Sequence, residues 1–150
     1  MAPHRRPHRQ ASGQSTVTVT GYDRTVISEP DDSHITLIST LLHEEFSGSL
    51  RGTGVADHVR VVGPGGDDTF TGVERFTGTL DGRAGTFALT AQGGSVGGIV
   101  HGHWQVVPNS ATGDLVGLRG HGVFTAEPNP SATGDNYGTA TDCLTYWFED

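Results

Sequence analysis

Cations and thiols are scarce in this chain. Lysine is absent, so the nine basic side chains are all arginines, set against 17 carboxylates for a net charge of -8. We read the missing lysine as a compositional bias of the genome, not as chemistry. Arg5, Arg6 and Arg9 fall within the first ten residues, which leaves the rest of the chain more acidic still. Such a surface repels phosphate backbones and anionic lipid, so neither nucleic acid nor a membrane is expected as a partner. A single cysteine, Cys143, excludes an internal disulfide framework and a thiolate zinc cluster. Alternation puts it on an outer face, beside Asp142, which discourages a thiolate. No apolar run approaches the roughly 18 residues of a membrane-spanning helix. The N-terminal MAPHRRPHRQASGQ has arginines but lacks the apolar stretch of a secretory signal. A cytoplasmic protein is expected.

Several catalytic signatures are also missing. There is no G-x-S-x-G elbow for a serine nucleophile. Gly63 to Gly66 lacks the Gly-Lys-Ser/Thr and helix of a phosphate loop. His101 and His103 have a spacing that can hold zinc or iron, but Val106, Val107 and Pro108 follow where a third ligand would help. Both histidines oppose Trp104 on their strand and so face outward. No metal and no cofactor is expected.

What the chain does have is alternation. Residues 68–89, DTFTGVERFTGTLDGRAGTFAL, read as two strands about a turn. Side chains on a strand alternate faces with a period of 2, so Glu74 shares a face with Phe70, Phe76 and Leu80, opposite a row of threonines. The apolar face is the inner one. Asp81-Gly82 supplies the positive φ of a tight hairpin. Around this hairpin, strands are expected over residues 15–23, 34–46, 50–62, 96–107, 115–126 and 139–148. The return strand is centred on 86–90, and Gln92 to Ser95 is read as the next turn. Loops are expected near 29–32, 63–67, 108–113 and 127–134. Residues 1–14 read as a disordered arm, leaving 15–150 as a single domain.

Eight regularly spaced strands without a convincing helix indicate an antiparallel barrel or a sandwich. The strands are long, roughly 10 residues against a usual 5–6, and the 23 glycines recur inside them where a curved sheet bends. Both features favour an all-β, eight-stranded barrel, the size at which an interior fills with side chains or holds one small ligand.

Three runs, GVERFTGTLDGRAGTF (72–87), WQVVPNSATGDLVGLRGHG (104–122) and the ending 144–149, resemble a bacterial family of small proteins of unknown function with an allene-oxide-cyclase-like barrel. The resemblance extends over most of the chain from about Ser15. It implies an eight-stranded, calyx-like antiparallel barrel, and a homodimer or homotrimer, since relatives of the fold often assemble so. Enzymes sharing the barrel include plant allene oxide cyclase, dirigent proteins and bacterial natural-product cyclases, which steer ring closure of an apolar substrate. The resemblance assigns no catalytic residue to this chain.

Candidate site residues therefore come from the pattern alone. A carboxylate inside an apolar barrel must be neutral, paired or hydrogen-bonded. Glu74 is the first candidate for an acid or base, with a structural ion pair to Arg83 or Arg119 as the competing reading. Glu44 joins it if the Ile38, Thr40, Leu42, Phe46 set faces inward, and Tyr146 could add a phenol donor. Trp104, Phe70, Phe76, Phe124 and Phe46 would line the interior, either as a wall for an apolar small molecule or as plain core. The inward glycines at 72, 78, 102, 120 and 122 leave room for a cavity. Three functions are compatible: a cofactor-free cyclase or isomerase, a lipocalin-like carrier, and a filled barrel acting only as an interaction module.

Overall fold

In a computed structural model, residues 9–127 and 138–150 are described. Eight strands form one closed barrel in sequence order. They are β1 (Ala11–Ser28), β2 (Thr36–Gly48), β3 (Leu50–Val62), β4 (Asp68–Leu80), β5 (Arg83–Val96), β6 (Ile99–Val106), β7 (Leu118–Ala126) and β8 (Thr139–Phe148). Every neighbouring pair is antiparallel, and β1 closes the sheet on β8 from Ala11↔Tyr146 to Thr18↔Thr139. Closure leaves no sheet edge to satisfy, which is how an up-and-down barrel avoids pairing with other chains. Among the described residues no helix is long and apolar enough to cross a membrane.

The expected strands are present, with shifted ends. Ala11 to Gln14, expected in the arm, belong to β1 and pair with β8. Residues 9 and 10 are exposed and outside any strand; residues 1–8 of that arm lie outside the described residues, as does the expected loop from residue 128 onward. The turn expected at Gln92 to Ser95 is not there. β5 runs straight through it, pairing Gln92↔His103 and Ser95↔Val100, and the chain reverses at Gly97-Gly98. Both of those glycines have positive φ (61° and 81°), the backbone that a two-residue hairpin demands. Asp81-Gly82 turns as expected, with φ of 46° and 90°. Residues 115–117, expected in β7, instead belong to the β6–β7 connection, which contains a short 3-10 turn, Gly113–Leu115.

One end of the barrel is packed solid. Leu50, Leu80, Leu115, Leu118, Phe76 and Phe87 are all at most 1% exposed there. The β6–β7 connection builds this floor. It hydrogen-bonds along β5, through Thr112 N–H to Thr86 O (2.9 Å) and Val107 N–H to Ala88 O (2.9 Å), and so carries Leu115 underneath. Towards the other end the inward side chains become half-buried, at Val100, Phe124 and Ala126. The described residues form a calyx with a closed base and a mouth.

Candidate functional site

Above the floor lies a cavity of about 230 Å³. Phe46, Phe70, Phe76, Phe124 and Trp104 line it together with Glu74 and Glu44. Tyr146 does not. Its ring packs in the floor, and its hydroxyl donates to the Asp81 carboxylate at the β4–β5 turn. Burial, followed by the Asp81 carboxylate, pushes this phenol up to about 12. It is a fixed donor that ties β8 to the turn, and it lies apart from the cavity.

The acidic residues meet because the strands between them carry almost no side chain. Glu44 on β2 pairs with Gly54 on β3, and Glu74 on β4 pairs with Ala56 of the same strand. With only a glycine and an alanine between them, both carboxyls extend over β3 and come together. A Cβ at Gly54 would overlap Glu74 Oε2. The same device works across the barrel. Trp104 on β6 lies over Gly122 of β7, where a Cβ would strike the indole. The ring thereby reaches β8, and Nε1–H donates to Asp142 Oδ1 at 2.9 Å. The inward glycines, expected to leave space, are largely covered by neighbours' side chains: Phe124 over Gly102 and His58 over Gly72.

Glu74 is 8% exposed, and its Oε2 has no hydrogen-bond partner among the described residues. Burial raises its carboxyl well above the ordinary range; a hydrogen bond with the Glu44 carboxyl adds to this, and the charges of Glu44 and Asp142 add further. Two carboxyls can share a hydrogen bond only if one carries a proton, and Glu74 is the more deeply buried. Asp142, 3% exposed, is raised to about 6 by burial, partly offset by the Trp104 bond. Neither arginine proposed as a partner for Glu74 is near it. Arg83 lies over the Phe148 ring at 4.2 Å, and Arg119 pairs with Glu149 at 3.5 Å.

Among the lining residues that the sequence does not single out are four with titratable groups: Asp142, His58, Arg60 and Tyr22. Alternation from Leu144 would have placed Asp142 inside. On β3 hydrophobicity misleads, because Val55, Val59 and Val61 are exposed while Ala56 and His58 point inward. Tyr22 reaches the mouth because a bulge between Val19 and Gly21 switches the inward set of β1. His58 stacks on Phe70 at 4.7 Å, and burial, then Arg60, lowers it to about 4. Arg60 lies over the Phe70 ring, 4.8 Å from its centroid, and pairs with Asp68 at 3.1 Å. His101 and His103 are exposed on the outer face, as is Cys143.

A sequence model described as "Protein of unknown function (DUF3224)" matches residues 13–135. A crystal structure at 1.84 Å of a protein with unknown function from the same family, from Shewanella oneidensis MR-1, superposes with a TM-score of 0.67. The two share 20% identity over 96% of this chain and 100% of the other, a likeness that carries the fold alone. No curated protein matches. Neither finding names the allene oxide cyclases, so that part of the resemblance rests on the sequence runs.

Proposed function

We propose that this chain, which belongs to the DUF3224 family, binds a small apolar molecule in its calyx and exchanges a proton with it through Glu74, as a cofactor-independent isomerase or cyclase. The observation that carries the reading is the Glu74 carboxyl itself, buried among aromatic rings that line the same cavity, with one oxygen unpartnered among the described residues. A carboxyl whose pKa burial has raised well above the ordinary range is poised for general acid-base work. It can give its proton to an enol, epoxide or carbonyl oxygen or to an alkene carbon. The resulting carboxylate takes one back from a neighbouring carbon, so the proton count closes over the cycle. Glu44 holds the shared proton in place between turnovers. The cavity size limits the substrate: an apolar cavity of ~150 Å³ holds a benzene, so about 230 Å³ suits a bicyclic or short branched molecule and no long acyl chain.

The same cavity without chemistry would be a carrier, and one substitution separates the two readings. Binding of 2-naphthol is measured by calorimetry, and proton exchange by deuterium uptake into a small β,γ-unsaturated ketone such as 3-cyclohexen-1-one in D₂O. Glu74→Gln is expected to keep naphthol affinity within about threefold while slowing exchange by ~100-fold or more, the scale of a lost general acid-base group. Equal exchange by both proteins would remove Glu74 from the chemistry. Binding with no exchange by either would leave the carrier.

A further inference from the structure

Three carboxyls converge on this cavity, and very little positive charge answers them. Glu44, Glu74 and Asp142 arrive from β2, β4 and β8. Trp104 Nε1–H satisfies one oxygen of Asp142, while Glu74 Oε2 is buried and has no partner among the described residues. Of the arginines, only Arg60 lines the cavity among the described residues; it is engaged by Asp68 at 3.1 Å and lies over the Phe70 ring. Trp104 and Phe124 also line the cavity, and aromatic rings attract cations through their quadrupoles.

We infer that the ligand carries a cationic head, a protonated amine on a compact apolar body, with the ammonium seated between Glu44, Glu74 and Asp142. This rests on the reading that the calyx binds a small molecule, and it narrows the substrate class. An ammonium offers three donors, one for each of the three carboxyls that line the cavity. With a neutral ligand Glu74 stays protonated, because ionising it beside Glu44 and Asp142 meets like-charge repulsion in a low-dielectric site, and an anion would add to that repulsion. A bound cation relieves it and favours ionisation within the cluster. Affinity for an amine therefore rises with pH as the carboxyls give up protons. The other titratable groups facing the cavity are His58, Arg60 and Tyr22. His58 is already neutral, lowered to about 4.

The test compares three molecules of one shape by calorimetry with the full chain at neutral pH: 1-naphthylmethylammonium, 1-naphthalenemethanol and 1-naphthoate. The ammonium is expected to bind about tenfold or more tightly than the alcohol, with naphthoate weakest. Its binding should release protons, detected as a dependence of the observed heat on the buffer's ionisation enthalpy. Glu44→Gln and Asp142→Asn should each shrink the ammonium preference while leaving alcohol affinity within about threefold, which also shows that the variants are folded. If the alcohol binds as well as the ammonium, the cation inference falls and the calyx reading stands. Binding by none of the three would overturn both.

Discussion

At the scale of the residue, the account turns on carboxyls held against their preference for water. Asp142 gives a stability prediction with a definite sign. Its pKa is raised from 3.8 to about 6 on folding, so folding takes up a proton. The stabilisation is complete below the unfolded value and is lost as pH rises through about 6. Unfolding free energy should therefore fall between about pH 4 and pH 6 by an amount on the order of 2–3 kcal/mol from this group, and Glu74, also raised, continues the fall to higher pH. Asp142→Asn keeps an amide oxygen for the Trp104 N–H and removes the titration. Denaturant melts at several pH values should show a flatter profile for the variant and a more stable protein near pH 8; parallel profiles would contradict the assignment.

At the scale of the element, glycines decide which side chains can reach across a strand. Gly122→Ala would drive a Cβ into the Trp104 indole and is expected to cost about 1–3 kcal/mol, the usual penalty of overpacking. Gly65→Ala, where nothing lies within 4 Å, should change the denaturation midpoint little. Equal effects of the two would mean that the indole is free to move. This crossing of strands is also where the sequence stops being readable. Alternation alone puts Glu74, Phe70 and Phe76 on one face, and the turn residues around them resolve β3 and the Asp81-Gly82 hairpin to their ends. It does not show that Glu44 meets Glu74, because that depends on which strand lies between them and on what Gly54 and Ala56 leave empty. The inner face of β3 was hidden by its outward valines, and Tyr146 shares a face with Leu144 yet sits below the cavity because of its height along the barrel. The run of Gln92 to Ser95 looked like a turn because glycines serve both for reversal and for sharp curvature within a strand.

At the scale of the whole molecule, closure is the organising fact. The β1–β8 seam is the last pairing needed to remove both edges. Deleting residues 139–150 should expose the free sides of β1 and β7 and remove Asp142 from the cavity, giving an aggregating product on size-exclusion chromatography. A soluble, cooperatively melting fragment would show that the remaining seven strands close by themselves. A calyx with a solid floor also predicts linkage between binding and stability. At a concentration 100 times its Kd, a ligand that binds only the folded barrel should raise unfolding free energy by about 2.7 kcal/mol.

The measurement that tests the central claim most directly is the pKa of Glu74, from the carboxyl-carbon NMR shift followed across pH, with Glu74→Gln to assign the signal. The expected value lies well above the reference of 4.5, with a second inflection on the same signal as Asp142, raised to about 6, titrates nearby. A single transition at or below that reference would mean a solvated or ion-paired glutamate, and would contradict the protonated carboxyl on which the proposed chemistry depends.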